Sequence, residues 1–162
     1  GDGGMKTPGR TKGFGQLPLE NQEPFNYEVA VCCNPIPGDE VIGLTASDNL
    51  PMQIHRTICA KAQELITKFG NRMVKVTWDN HESISFLTDI KVTGIDKHGL
   101  INEITRIISN DMNLNIKSFH IDADKGLTQA VISFYVQNTS KLNDTLNKLA
   151  VVEGITHVTR VN

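Results

Sequence analysis

The sequence predicts an α+β protein: a small β-rich module with one helix, followed by a ferredoxin-like β-α-β-β-α-β unit of about 80 residues. Three observations lead there. Short alternating apolar stretches separated by turn residues fill 27–79, with a single run of helical spacing among them. Beyond residue 80 the apolar period switches between two and 3.6 in the order strand, helix, strand, strand, helix, strand. All three cysteines, Cys32, Cys33 and Cys59, fall in the first module together with His55.

The elements follow in order. Residues 1–26 are rich in Gly and Pro with scattered Lys and Arg, too few large apolar groups to offset ordering entropy, and are expected to be a flexible linker. A strand is predicted over 27–33. Pro35-Ile36-Pro37-Gly38-Asp39 then bends the chain back, and a second strand is expected over 40–46. Residues 52–54 read as extended before a helix starting near His55. That helix carries Ile58, Ala62, Leu65, Ile66 and Phe69 on one face and stops at Gly70. Residues 73–78 return as a strand, and 79–82 form the junction.

In the second unit 83–95 alternates as a long strand, and Leu100, Ile101, Ile104, Ile107 and Ile108 mark a helix. A strand over 114–123 turns inward Leu114, Ile116, Phe119 and Ile121. Asp124-Lys125-Gly126 is a hairpin turn, with Gly free to take positive φ. The return strand spans 127–137. Thr139 or Ser140 is expected to cap a helix bearing Leu142, Leu146 and Leu149, and 155–161 is the last strand. With both helices on one face of the sheet, Phe119, Ile121, Val131 and Phe134 suggest that part of it is shared, by dimerisation or inter-domain packing. The expected domains are a linker at 1–26, the β-rich module at 27–79 and the second unit at 80–162.

The cysteine cluster points to chemistry. If 54–69 is helical, His55 and Cys59 lie one turn apart on one face. With Cys32 and Cys33 they supply the four N and S donors of a closed tetrahedral Zn2+ site. Neighbouring side chains on a strand face opposite ways, so both cysteines reach one ion only where the backbone kinks. Three reduced cysteines packed as small apolar residues are the alternative. A module this small is of the kind that needs a staple.

Composition sets bounds. The chain has 162 residues, 39% apolar and 21% charged, with a formal net charge of −2, so it has no global electrostatic reason to bind nucleic acid. No apolar run approaches the roughly 18 residues needed to span a bilayer, and no membrane partner is expected. An odd cysteine count argues against a disulfide framework and for the reducing cytoplasm. The opening Gly-Asp-Gly-Gly suggests a piece of something longer. Cys59 and His55 lack a third orienting group, so an enzyme reading fails for want of parts. His81, His98, His120 and His157 are scattered, without ligand spacing.

The residues also carry a resemblance. Asp96-Lys97-His98-Gly99-Leu100-Ile101, between the first strand and helix of the second unit, resembles the D-x-x-G-L loop of ACT domains. Ala30-Val31-Cys32-Cys33-Asn34-Pro35-Ile36-Pro37-Gly38-Asp39, followed by Ile54-His55-Arg56 and Cys59, resembles the zinc-finger (RIS) module that precedes the ACT domain in long RelA/SpoT stringent-response proteins. The resemblance covers about 27–162. It implies zinc ligands at Cys32, Cys33, His55 and Cys59. It also implies a regulatory role in (p)ppGpp metabolism: docking to ribosomal RNA near uncharged tRNA, and communication with catalytic domains that 26 linker residues cannot hold. The segment itself is then not an enzyme.

Two residue sets keep alternatives open. At the ACT loop Gly99 admits close backbone approach, the N–H groups starting the helix at Leu100 favour a carboxylate, and Asp96 is placed for an ammonium. An amino acid is the implied ligand, bound by Asp96, His98, Gly99 and Leu100, usually at a dimer interface; the alternative is an ordinary turn and cap. Arg56, Lys61, Lys68, Arg72 and Lys75 give the first module a locally basic side, read as RNA contact or as a solvated face.

Overall fold

The protein is described by a computed structural model, in which residues 12–14, 26–78, 84–95 and 97–161 are placed. It divides into two compact units, one within Gly1–Phe86 and one spanning Leu87–Val161. Apart from 12–14 and Asn26, the expected linker lies outside the described residues. Lys12–Phe14 is itself a strand, β1, paired antiparallel with β2.

The first unit is a five-stranded sheet in the order β1-β2-β4-β3-β5. Its strands are β2 (Asn26–Val29), β3 (Val41–Thr45), β4 (Met52–Arg56) and β5 (Arg72–Lys75), with helix α1 (Ala60–Phe69) between the last two. β4 is central, parallel to β2 and antiparallel to β3. Two expectations change here. The strand predicted over 27–33 ends at Val29, and 31–33 form a turn closed by the Asn34 N–H donating to the Ala30 carbonyl at 3.0 Å. Asn34 takes φ 43°, a left-handed conformation that Asn tolerates better than most residues.

The helix predicted from His55 instead starts at Ala60, and His55 is in β4. Both neighbours of β4 use its backbone groups, so pairing overrides the local 3.6 spacing. Ala62 is fully buried, with Leu65 and Ile66 packed beside the cluster of Ala30, Cys33, Leu44, Cys59 and Ala62. Ile58 and Phe69, predicted on the same apolar face, are exposed. Gly70 ends α1 as expected, at φ 69°, its N–H donating to the Leu65 carbonyl.

The second unit has the β-α-β-β-α-β order predicted: β6 (Phe86–Gly94), α2 (Lys97–Thr105), β7 (Ile116–Asp124), β8 (Leu127–Val136), α3 (Thr139–Ala150) and β9 (Ile155–Arg160). The strand order is β7-β8-β6-β9, the ferredoxin-like arrangement. α2 runs on as a π-helical turn over Arg106–Asp111, closed by the Met112 N–H on the Ile107 carbonyl at 2.9 Å. Ile90, Ile104, Ile108, Ile132, Phe134, Leu142 and Leu149 are fully or almost fully buried, each contributing on the order of 1.5–3 kcal/mol by leaving water.

β7 pairs with β8 through a bulge between Ile116 and Ser118. The bulge keeps Ile116, Phe119 and Ile121 on the face of Phe134, Ile132 and Ala130. The four residues expected on a shared face therefore divide: Phe134 is wholly inside, with Phe119 and Ile121 on its side, while Val131 pairs with His120 on the opposite one. The hairpin turn is as predicted, with Lys125 and Gly126 at φ 52° and 83°. The cap of α3 is Asn138 and not Thr139 or Ser140; its side chain accepts from the Lys141 N–H at 2.8 Å. No helix among the described residues is long and apolar enough to cross a membrane.

One glycine is fixed by space. A Cβ on Gly94 would lie 2.6 Å from the Gly154 carbonyl oxygen and 2.8 Å from a Leu100 methyl. Gly94→Ala is expected to lower stability by about 1–3 kcal/mol, read as a lower urea midpoint with unchanged slope. Asn138→Ala should cost about 1 kcal/mol by the same measurement.

Candidate metal centre

Three points of the chain supply the site. Cys32 and Cys33 stand in the turn after β2, His55 lies in β4 opposite Ile42, and Cys59 is the residue before α1. The Cys59 N–H donates to the Arg56 carbonyl at 3.0 Å, folding Cys59 back towards His55. The i, i+4 pair thus meets through a strand-to-helix turn, and the kink that two adjacent cysteines require is the turn at 31–33.

Cys32 Sγ lies 3.4 Å from His55 Nδ1 and 3.5 Å from Cys59 Sγ, and Cys33 Sγ is 3.9 Å from the same Nδ1. All four donor atoms fall within 4.8 Å of one another. Bonds of about 2.3 Å to sulfur and about 2.0 Å to nitrogen give a tetrahedron with edges of roughly 3.5–3.8 Å. The three contacts, 3.4–3.9 Å, lie within a few tenths of an ångström of those edges, and the arrangement could hold one metal ion.

The electrostatics fit the same reading. Cys33, His55 and Cys59 are buried, and Cys32 is exposed. Burial holds His55 below its ordinary value, keeping the imidazole neutral as a ligand must be. Burial pushes the Cys33 thiol up to about 12, against the help of the Arg56 N–H, which donates to its sulfur at 3.3 Å. Cys32 is likewise raised, by burial first and then by Cys59. Burial also works to raise Cys59, but is outweighed by the Ala62 N–H, the neighbouring thiols and the Lys61 N–H, so its value is lowered. The helix start acts here by position, since no close capping hydrogen bond forms. Two raised thiols beside a neutral imidazole give up their protons readily only to a cation that replaces them.

Asp39 belongs to the site's support and was not singled out from the sequence. It accepts from the Ile36 N–H at 2.7 Å and lies 3.8 Å from Arg56 Nε, with Arg56 itself largely covered. Its place at the end of a Pro-Gly turn was the available signal. Trp78 Nε1 donates to the Asp39 carbonyl at 3.0 Å, and its ring meets edge-on that of Phe86, the residue at which the first unit ends.

Of the other expected site residues, Arg56 and Lys61 touch this cluster through their backbone N–H groups. Lys61 and Lys68 both meet Glu64, at 3.4 and 3.5 Å, and Arg72 meets Asp48 at 3.2 Å. The basic side is therefore interleaved with carboxylates, in exposed pairs worth little to stability. In the ACT-like loop Asp96 is outside the described residues, His98 is exposed, Gly99 is half-buried, and Leu100 is buried against Gly94. His120 and His157 are exposed, and His81 lies outside the described residues.

Comparison with known proteins follows the same division. Residues 17–79 match the family model of the RelA/SpoT RIS domain, and residues 82–160 that of the ACT domain. The GTP pyrophosphokinase of Escherichia coli (strain K12) is 27% identical over 154 residues, covering 94% of this chain and 21% of that protein. The bifunctional (p)ppGpp synthase/hydrolase RelA of Mycobacterium tuberculosis is 30% identical over 135 residues, covering 83% and 18%. The chain thus spans about a fifth of the length of the curated relatives it matches. Among solved structures, the ACT domain from the GTP pyrophosphokinase of Chlorobium tepidum is 35% identical, with a TM-score of 0.43, over 48% of this chain and 99% of that one.

Because Cys33 is held by both burial and the Arg56 N–H, Cys33→Ser should cut metal affinity at least about tenfold. Competition against a chromogenic chelator reads this directly.

Proposed function

The chain belongs to the RelA/SpoT family, carrying the RIS and ACT domains of its regulatory C-terminal region and none of its catalytic domains, and from this we propose that it reads the ribosome for a cytoplasmic stringent-response (p)ppGpp enzyme. The RIS module docks on ribosomal RNA beside uncharged tRNA. The ACT domain passes the docked state to catalytic domains elsewhere in the parent protein. The observation that carries this reading is the convergence of Cys32, Cys33, His55 and Cys59 inside a RIS-matching module.

The ion proposed for that site is Zn2+, on the chemistry of the donors: three sulfurs and an imidazole nitrogen at tetrahedral spacing leave no open position. When bound it supplies a cross-link between the 31–33 turn, β4 and the start of α1. The chain's own residues do the rest. Arg56 and Asp39 hold the turn, which leaves Lys61, Lys68 and Arg72, each more than half exposed, as the cations for phosphate. Their present carboxylate partners are exchanged for phosphate on docking, so affinity depends strongly on salt.

Elemental analysis of the folded, unchelated chain is expected to give about one Zn per chain; less than about half would overturn the four-ligand site. Co-sedimentation with ribosomes, with and without uncharged tRNA across a salt series, tests the docking. Pelleting should grow with uncharged tRNA and fall steeply as salt rises. No pelleting at low salt, from a folded and zinc-loaded chain, would overturn the reading.

A further inference from the structure

We propose that Cys32 and Cys59 are an oxidation site: in the metal-free chain a hydroperoxide converts them to a reversible disulfide that removes two of the four metal donors.

Three features select this pair. Cys32 Sγ and Cys59 Sγ are 3.5 Å apart, in direct contact, and the two residues are 27 apart in sequence. Cys32 is the exposed member of the donor set, while Cys33 and Cys59 are buried. It also stands in a turn, outside the strand pairing, and the link requires its sulfur to close from 3.5 Å to the bonding distance of about 2.05 Å.

The other pairings are disfavoured. Adjacent residues such as Cys32 and Cys33 have Cα atoms about 3.8 Å apart, below the roughly 4.4 Å minimum of ordinary disulfides. Cys33 is buried and its sulfur accepts the Arg56 N–H at 3.3 Å, which fixes it on the strand side of the site. A thiol so placed is shielded from oxidant.

The chemistry balances in two steps. The Cys32 thiolate attacks the peroxide oxygen; the O–O bond breaks, giving a sulfenic acid and hydroxide (or alkoxide). The Cys59 thiolate then attacks the Cys32 sulfur, the S–O bond breaks, and a second hydroxide leaves. The two sulfurs have lost two electrons, and the peroxide has gained them. A bound metal holds the same sulfur lone pairs, so loading and oxidation exclude one another; this consequence rests on the metal reading above, whereas the disulfide does not.

The test treats the whole chain with hydrogen peroxide, metal-free and zinc-loaded, and follows it by mass spectrometry without reduction. The metal-free chain is expected to lose two hydrogens, with fragmentation placing the link on Cys32 and Cys59 and leaving Cys33 open to alkylation. Thiol reductant should restore the original mass. Zinc is expected to slow the reaction by at least about tenfold. Cys59→Ser should leave a Cys32 sulfenic acid that a cyclic 1,3-diketone captures. A metal-free chain in which Cys32 goes to sulfinic acid without a link, or in which Cys33 carries the link, would overturn the proposal whatever zinc does. A link that forms at equal rates with and without zinc would support the disulfide and overturn the zinc reading instead.

Discussion

The backbone turn at 31–33 is the constraint on which the first unit depends. A strand continued through Cys33 would send the two sulfurs to opposite faces of the sheet. The turn, with Asn34 at φ 43° behind it, gathers both on the side where β4 presents His55 and α1 begins. Around this point lies a cluster of Ala30, Cys33, Leu44, Cys59 and Ala62, and the unit also buries Tyr27, Val29, Ile36, Met52, Ile54 and Val76. Ala and Cys contribute little apolar area, so beside the donors themselves the packing is thinner than around Ile36, Leu44 and Ile54.

The second unit is packed differently. Its sheet is roofed by α2, the π turn and α3, and buried positions alternate regularly along β6 (Phe86, Thr88, Ile90, Val92, Gly94) and β8 (Thr128, Ala130, Ile132, Phe134, Val136). The pattern tolerates local irregularities that re-aim side chains without opening the core: the bulge in β7, the shift between Thr93 and Gly94, and the π turn. A regulatory region assembled from these two units combines one that gathers four N and S donors with one that carries no cysteine. Conditions that act on thiols bear on the first and leave the second alone.

The charges are read differently once folded. In the sequence Arg56, Lys61, Lys68 and Arg72 look alike. In the structure Arg56 lies mostly covered near Asp39 and works as a part of the turn, whereas the other three are solvated and paired with exposed acids. What distinguishes them is burial, because a covered cation must keep its carboxylate while an exposed one can exchange it.

The sequence by itself determined most of the second unit: element order, helix faces and hairpin turn follow from periodicity and turn residues, because β6, β8 and the helices bury one face against the same core. It also determined which four residues gather, since Cys and His are rare enough that their clustering within 32–59 is a signal without coordinates. Only the tertiary structure decided how they gather. Residues 52–59 carry both a helical spacing and a strand-compatible one, and the choice falls to β4 because β2 and β3 pair with it from both sides. Ile58 and Phe69, which the 3.6 spacing puts on the apolar face of the predicted helix, are exposed. The turn at 31–33 was equally illegible: Tyr27 to Cys33 alternates like a strand, and what ends it is a hydrogen bond from Asn34 to Ala30 within a fold that the local pattern does not encode.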